Sequence, residues 1–281
     1  MTLWICATCG VEHADSDAPP STCAICSDDR QGVPKTGQAW TTHDQLQRDG
    51  TRVDVAELEP DLYAVRTQPG VGIAPRGLLV RTPGGNLLWE PPGYLDTDAV
   101  QRLRALGGVH AVASSHPHLV GASVSWSHAF GGVPVWWAQV DRRWIRRPDP
   151  VLRLWSGEQE MLPGLRLLQT GGHFPGSAVA HWAAGANGRG ALLSGDTIMV
   201  GGDRASVSFM RSYVNLLPLP ERLVRQIVTT VQRHPYDRIY GAFGEIGTDA
   251  QQIVLGSAER FVGWMRDEIR DPDEEATDLS S

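Results

Sequence analysis

Short apolar runs separated by glycine, proline and polar residues dominate the pattern of this 281-residue chain. Residues 77–81 and 86–90 flank a Thr-Pro-Gly-Gly turn, and two apolar runs around such a turn predict a β-hairpin. Other apolar runs of strand length predict strands at 62–65, 109–113, 133–140, 165–169, 178–182, 191–193 and 238–243. The chain is therefore expected to be rich in short β-strands.

Three helices are predicted, and the first two carry the apolar spacing of amphipathic helices. The first runs to Leu106 from a cap at Asp96 or Thr97 and is followed by two glycines, which are typical of a helix end. The other two helices are predicted over residues 220–233 and 249–270. Because two strand-rich halves each include helices, the pattern favours an α+β fold in which helices cover a β-sandwich.

The four cysteines all lie in the first 26 residues, as two Cys-x-x-Cys pairs. Such pairs place two sulfur atoms each on one ion, and four thiolates suit tetrahedral Zn or a rubredoxin-like iron. The expected ligands are Cys6, Cys9, Cys23 and Cys26. Four protein ligands leave no open position, so a structural site is expected, and two disulfides are the alternative for a secreted protein. Residues 1–42 are predicted to be a zinc-ribbon-like module with a polar linker.

Three histidines and an aspartate follow predicted strands. His116 and His118 come directly after one apolar run, and two residues apart on extended backbone they point to the same side. His173 and Asp196 each follow a later run. We predict that these four side chains converge on one metal ion. The alternatives are loop histidines without a metal and an aspartate that only accepts hydrogen bonds from backbone amides.

These segments together resemble the motifs of the metallo-β-lactamase superfamily. Residues 116–121 stand where that family has His-x-His-x-Asp-His. Residues 172–177 resemble its Gly-His-Thr-Pro-Gly-Ser segment, and residues 195–196 resemble its Gly-Asp segment. The three motifs occur in the family's order, and the resemblance covers residues 55–265.

The resemblance implies an αββα fold for a main domain at residues 53–270. It also implies that three histidines hold one ion of the family's usual pair, here His116, His118 and His173. Asp196 is then either a fourth ligand or the residue that orients a water on the ion, and it is the candidate catalytic residue.

The chain departs from the family pattern at the second metal position. Val120 and Gly121 replace the family Asp and His, and residues 239–244 lack the further His that ends the family's last strand. Of the ligands that the resemblance implies for the second ion, only Asp196 remains. We therefore predict one ion, Zn or Fe, at this site rather than two. Candidate substitutes for the missing proton acceptor are Asp141, His128 and Glu245.

The leading functional hypothesis is a mononuclear metal-dependent hydrolase. Water on the ion would attack the carbonyl of an ester, thioester, lactone or amide in a small-molecule substrate. One alternative is a non-catalytic binding protein with a degenerate metallo-β-lactamase-like fold. Another is an iron-dependent redox protein with a rubredoxin-like centre, although diiron relatives of this fold need the second-metal ligands that this chain lacks.

Composition and charge exclude several partners and leave the oligomeric state open. The 25 basic and 32 acidic residues give a formal net charge of −7, which does not favour nucleic acid as a partner. No apolar run approaches the roughly 18 residues that cross a bilayer, and the N-terminus lacks a signal-peptide pattern. We therefore expect no membrane association and a cytoplasmic location. Residues 271–281 are acidic and polar and are predicted to be a disordered tail.

Overall fold

The computed structural model describes residues 1–273, in which two β-sheets lie face to face between two layers of helices. This αββα arrangement confirms the predicted fold class. Of the tail predicted at 271–281, residues 274–281 lie outside the described part of the chain. Within residues 1–273, no helix combines the length and apolar composition needed to cross a membrane.

Nineteen strands occur within residues 1–273. In chain order they are β1 (Ile5–Cys6), β2 (Trp40–Thr41), β3 (Arg52–Glu59), β4 (Leu62–Gln68), β5 (Gly77–Val80), β6 (Leu87–Trp89), β7 (Ala111–Ala113), β8 (Val135–Ala138), β9 (Leu152–Trp155), β10 (Glu158–Leu162), β11 (Leu165–Gln169), β12 (Ala178–Trp182), β13 (Ala191–Ser194), β14 (Met199–Val200), β15 (Val207–Ser208), β16 (Met210–Ser212), β17 (Leu217–Pro218), β18 (Arg238–Gly241) and β19 (Glu245–Ile246). The predicted hairpin is confirmed as β5 and β6. The strand predicted at 133–140 is shorter, because a 3-10 helix begins at Gln139.

The helices include the three that the sequence predicted, each slightly shorter than expected. They are α1 (His43–Arg48), α2 (Thr97–Ala105), α3 (Ser123–Ala129), α4 (Gly185–Gly188), α5 (Glu221–Val231) and α6 (Ala250–Met265). Short 3-10 helices occur at Pro117–Leu119, Gln139–Trp144 and Asp196–Ile198. The predicted cap of α2 is present, since the Asp96 side chain accepts a 2.7 Å hydrogen bond from the backbone N–H of Ala99.

The two sheets differ in strand order but share one feature that positions the loops. The first sheet contains β3 to β9 in sequence order, and the second has the order β10-β11-β12-β13-β18-β19. Pairing changes from antiparallel to parallel at β6–β7 in the first sheet and at β13–β18 in the second. Because β7 belongs to the first sheet and β13 to the second, the loops that follow these two strands leave from different sheets.

Side chains of adjacent strand positions enter different core layers. Leu78 and Val80 of β5 lie between the sheets, whereas Leu79 packs in the layer with α2 and α3. In β11, Leu167 lies between the sheets and Leu168 packs in the layer with α5 and α6. Because both faces of each sheet are buried, the strands appear in the sequence as continuous apolar runs.

Residues 1–42, the four-cysteine module, fold back on themselves and pack against the sandwich. β1 pairs with β2, so the polar segment after the cysteines returns to them. The Gln38 side chain accepts a 3.0 Å hydrogen bond from Cys23 N–H and donates to Cys6 Sγ at 3.2 Å. The cysteines share a buried apolar cluster with one residue of β8 and with residues of the loops that follow β7, β8 and β11. These residues are Val120, Trp137, Trp144 and Phe174.

Candidate metal centre

Loops from both sheets bring three histidines and one aspartate together in a His/Asp site. His116 and His118 follow β7 of the first sheet, whereas His173 lies in the β11–β12 loop and Asp196 follows β13 of the second. One ligand atom from each side chain lies within 4.8 Å of the others, and all four residues are buried. The structure therefore brings together the four side chains that the sequence singled out.

The backbone of the first two histidines differs from the extended segment that was predicted. His116 is extended, with φ −167° and ψ 171°, but Pro117–Leu119 form a 3-10 helix. Proline restricts its own φ to about −65°, which suits such a turn. The imidazoles of His116 and His118 still face one site, with centroids 5.2 Å apart and ring planes at 74°.

Three of the distances between the ligand atoms are close to those expected on one tetrahedral ion. His118 Nδ1 lies 3.3 Å from His173 Nε2, and Asp196 Oδ2 lies 3.8 Å from that same Nε2. Asp196 Oδ2 is also 3.5 Å from His116 Nε2. Two ligand atoms on a tetrahedral zinc are separated by roughly 3.3 Å, because each bond is about 2.0–2.1 Å. His116 Nε2 is buried without a hydrogen-bond partner in residues 1–273, and coordination to an ion there would satisfy its lone pair.

Burial keeps the three imidazoles in the form that binds metal. Desolvation lowers the pKa of His116 and His118 well below the usual value. It lowers the pKa of His173 to about 4, and the positive charge of Arg30 acts in the same direction. Burial raises the pKa of Asp196 to about 7. A neutral imidazole and an ionised carboxylate are the ligand forms, so near neutral pH protons compete with the ion mainly at the aspartate.

Hydrogen bonds behind the histidines orient their rings. Ser115 Oγ lies 2.7 Å from His116 Nδ1. His173 Nδ1 donates to the Met210 carbonyl oxygen at 3.2 Å, and the His173 backbone N–H donates to Thr197 Oγ1 at 3.2 Å. A proton on Nδ1 of His116 and of His173 suits these partners and leaves Nε2 of both rings free to bind an ion.

Glu90, which the sequence pattern does not single out, lies behind Ser115. It is fully buried, follows β6 with a left-handed φ of 54°, and accepts a 3.0 Å hydrogen bond from the Ser115 N–H at Oε1. Burial raises the pKa of its carboxyl well above the usual value. The available signal was a carboxylate as the last residue of the predicted apolar run 86–90. Glu90 therefore supports the segment that carries His116.

Replacing Ser115 with alanine is expected to lower the affinity of the His/Asp site for Zn²⁺ by roughly 10- to 100-fold, the usual effect of losing a residue that orients a metal ligand. The substitution removes the partner of His116 Nδ1 and keeps all four candidate ligands. Competition with a coloured chelator measures the affinity. Ser114→Ala is the matched control, and equal losses in both variants would contradict the orienting role of Ser115.

The positions that would carry a second ion provide no ligands. Val120 packs in the apolar cluster of the four-cysteine module. Gly121 has φ 46°, and a Cβ at this position would overlap the carbonyl oxygen of Pro91. β18 ends at Gly241, and the exposed Phe243 follows it. Within residues 1–273 these positions thus supply no ligand for the family's second metal, which leaves Asp196 alone of its expected ligands, and at position 121 the backbone itself excludes a histidine.

The cysteines form the other group of candidate metal ligands found within residues 1–273, here called the thiolate site. Cys6 Sγ lies 3.6 Å from Cys26 Sγ, and Cys9 Sγ lies 3.9 Å from Cys23 Sγ. These distances exceed a disulfide bond of about 2.05 Å and approach the roughly 3.8 Å between two thiolates on one tetrahedral zinc. The geometry favours one shared ion over two disulfides.

Phe174 and the four-cysteine module cover the His/Asp site. The fully buried Phe174 ring has its centroid 5.5 Å from that of His116 and 4.9 Å from that of His118. Its distance to the His173 ring is 5.3 Å. The side chains of His116 and His173 are 0% and 2% exposed. In this conformation a substrate of several atoms does not reach the ligand nitrogens.

A small cavity lies beside His116 and is lined by one of the candidate proton acceptors. Its volume is about 20 Å³, which is room for about one water molecule. Asp141 lines this cavity and accepts a 3.0 Å hydrogen bond from the Gly176 N–H at Oδ2. Burial raises the pKa of Asp141 to about 6. A carboxylate with this pKa accepts protons efficiently near neutral pH.

The other two candidate acceptors pair with residues elsewhere. His128 Nε2 lies 3.1 Å from Asp149, and the His128 side chain is half-exposed. Glu245 lies in β19 and forms a 2.7 Å ion pair with Arg76. Of the three candidates, Asp141 is therefore the one that lines the cavity at His116.

No protein-family model matches the sequence. A curated relative does: the chain is 40% identical over 272 residues to the protein described as "Uncharacterized protein YmaE" of Bacillus subtilis strain 168. That alignment covers 96% of this chain and 99% of the relative.

Several solved structures with a similar fold are described as metallo-β-lactamases. VMB-1 matches with a TM-score of 0.57 at 13% identity, over 76% of this chain and 98% of that one. FIM-1 from Pseudomonas aeruginosa, in its mono-zinc form, matches with a TM-score of 0.55 at 16% identity, over 75% and 96%. The enzyme from Hirschia baltica gives 0.52 at 17% identity, over 74% and 97%. At these identities the likeness shows the fold, and it confirms the resemblance drawn from the motifs.

Proposed function

Because this chain belongs to the same family as YmaE of Bacillus subtilis and has the metallo-β-lactamase fold, we propose that it is a mononuclear metal-dependent hydrolase. The convergence of four ligand atoms within 4.8 Å carries the proposal. The mono-zinc form of FIM-1 gives a precedent for one zinc in this fold. We propose zinc as the ion and a small molecule with an ester, thioester, lactone or amide carbonyl as the substrate.

The side chains of the site have distinct proposed roles. A divalent ion held here would lower the pKa of a bound water toward about 7 and polarise the substrate carbonyl. The three histidines would hold the ion as neutral imidazoles. Asp196 would complete the ligand set or orient the water. Asp141, in the cavity beside His116, is the proposed proton acceptor, because its pKa of about 6 keeps it mostly ionised at neutral pH.

Turnover requires the site to open, since the ligand atoms lie beneath Phe174 and Arg30. A cavity of about 20 Å³ holds water but not a carbonyl substrate. The proposed function therefore includes a movement of the β11–β12 loop or of the four-cysteine module that admits the substrate. Loops around the ion, rather than the ligands, would then decide which carbonyl compound is accepted.

A panel of esters, thioesters, lactones and amides, including β-lactams, tests this function. We expect turnover by the zinc-loaded protein, loss of turnover on metal removal and recovery when zinc is returned. His116→Ala is expected to lower kcat/KM by at least about 1,000-fold, because a catalytic metal supplies several kcal/mol. His128→Ala, which alters a histidine paired with Asp149, is the control and should keep its activity. Equal turnover by both variants would refute the metal-dependent mechanism.

A second candidate function is a non-catalytic metal-binding protein. It is favoured by one observation, namely that four buried donors can fill a tetrahedral ion and leave no open position. Azide added to the cobalt-substituted protein distinguishes the two candidates, since an open coordination position binds azide and changes the visible spectrum. An unchanged spectrum, together with no turnover across the panel, would favour the non-catalytic function.

The state of the cysteines also supports a proposal about location. All four are free thiols in the structure. Reducing compartments keep such thiols available for metal, whereas oxidising compartments favour disulfides. We therefore propose a cytoplasmic protein that acts on a small molecule, and fractionation of cells that express a tagged chain tests the location.

A further inference from the structure

The four-cysteine module places a buried arginine against the His/Asp site. Arg30 is 6% exposed. Its Nε donates a 2.6 Å hydrogen bond to the carbonyl oxygen of His173, and its guanidinium carbon lies 4.4 Å from the centroid of the Phe174 ring. Nη1 forms a 2.6 Å ion pair with Asp28. A buried charge needs partners of this kind, and together they hold the guanidinium in one position.

The module also contacts the strand that orients the His173 ring. The carbonyl oxygen that accepts the Nδ1 proton of His173 belongs to Met210 of β16. The next residue, Arg211, donates two hydrogen bonds to Asp29, at 2.7 and 2.9 Å. The exposed Asp29–Arg211 pair contributes little alone. Ser212 Oγ adds a buried 3.0 Å hydrogen bond to the carbonyl oxygen of Arg30. His173 is therefore held from its backbone by Arg30 and from its ring by a strand tied to the module.

The turn that carries Arg30 is built on the second cysteine pair. The Ser27 N–H donates to the carbonyl oxygen of Cys23, and the Gly32 N–H donates to the carbonyl oxygen of Cys26, each at 2.9 Å. Arg30 lies between these two anchors. A short cysteine segment of this type gains most of its folding free energy from its ion. The position of Arg30 is thus expected to depend on metal at the thiolate site.

We propose that Arg30 is a positioning residue for the His/Asp site, through which an ion at the thiolate site raises the affinity of the His/Asp site for its own ion. This inference rests on the metal binding within the proposed function and is independent of hydrolysis. Linkage makes the effect reciprocal, so an ion at the His/Asp site raises the affinity of the thiolate site by the same factor. The expected factor is about 10 to 100, as for other residues that orient metal ligands.

Titration of the metal-free full chain with Co²⁺ tests the coupling, because the two sites have different spectra. Four thiolates give intense sulfur-to-cobalt charge-transfer bands, whereas histidine and carboxylate ligands give weaker d–d bands. In Arg30→Gln we expect the Kd of the His/Asp site to rise by about 10-fold or more, with shifted d–d bands. The charge-transfer bands should still reach full amplitude, since all four cysteines remain. Cys26→Ser is expected to weaken the His/Asp site at least as much.

Arg147→Gln is the matched control. Arg147 pairs with Glu12 of the four-cysteine module and with Ser125, so it also joins the module to the sandwich, but through residues other than His173. In Arg147→Gln the Kd of the His/Asp site and its d–d bands should match those of the wild type. A wild-type Kd in Arg30→Gln, or equal weakening in both arginine variants, would overturn the proposal.

The same titration separates this inference from the hydrolase. Coupling between the sites in a protein that turns over no substrate would support the inference and remove only the hydrolytic function. If the wild-type chain bound no Co²⁺ at the His/Asp site, both would fail. Should the Cys26→Ser chain fail to fold, the Arg30→Gln result decides, because that variant keeps every candidate ligand of both sites.

Discussion

Alanine at His116 or at His173 is expected to remove one equivalent of bound zinc per chain and to leave the other equivalent at the cysteines. Each substitution deletes one of four donors that lie within 4.8 Å of one another, and the lost bond lowers the affinity enough for the ion to be removed during gel filtration. The thiolate site keeps its own four donors, so under excess zinc it stays filled even if its affinity falls. Metal analysis after gel filtration should change from about two equivalents to about one.

His128→Ala is the control for this experiment, because His128 pairs with Asp149 and is not part of either group of donors. It should retain about two equivalents. Two equivalents in both alanine variants would mean that the ion is not held by the His/Asp site. Loss of both ions in either variant would mean that the thiolate site does not persist without the other ion.

Alanine at Gly121 is expected to lower the free energy of unfolding by about 2–4 kcal/mol. The left-handed φ of 46° costs an L-residue about 1–2 kcal/mol, and overlap of the new Cβ with the Pro91 carbonyl oxygen forces a backbone shift of similar cost. Equilibrium unfolding in urea of the zinc-loaded protein measures the change. A loss below about 0.5 kcal/mol would show that the segment at Gly121 moves freely, and the account of the missing second metal would be wrong.

Gly202→Ala is the matched control for Gly121→Ala. At Gly202 an added Cβ meets no atom within 4 Å, and φ lies outside the left-handed region. Its free energy of unfolding should therefore change by no more than about 0.5 kcal/mol. The contrast between the two glycines tests a specific point: restoring the family residue at position 121 requires new backbone, not merely a new side chain.

Much of the fold follows from local sequence patterns. Leu165–Gln169 and Ala178–Trp182 form strands with the predicted bounds, and α2 begins at its predicted aspartate cap. These elements depend on neighbouring residues: side-chain alternation, turn residues and capping groups act within a few positions. The four ligands of the His/Asp site were predictable for a related reason, since each follows an apolar run and loops after buried strands meet at sheet edges.

Other features of the site depend on contacts between distant parts of the chain. Arg30 and His173 are 143 positions apart, and their hydrogen bond exists only because the four-cysteine module packs across the ends of both sheets. The same packing buries Phe174 over the ligands, and a separate contact with Gly176 holds Asp141 at the small cavity. No local pattern specifies such neighbours, because they are selected by shape and charge across the assembled core.

The sequence by itself thus determined the αββα fold, the two groups of candidate ligands and the loss of all but one of the second metal's ligands. The tertiary structure decided that the His/Asp site is covered, that Glu90 and Ser115 support His116, and that one module holds both the cysteines and the arginine at His173. The physical reason is range. Hydrophobic periodicity and ligand chemistry act along short stretches, whereas access and orientation depend on which surfaces the folded chain brings into contact.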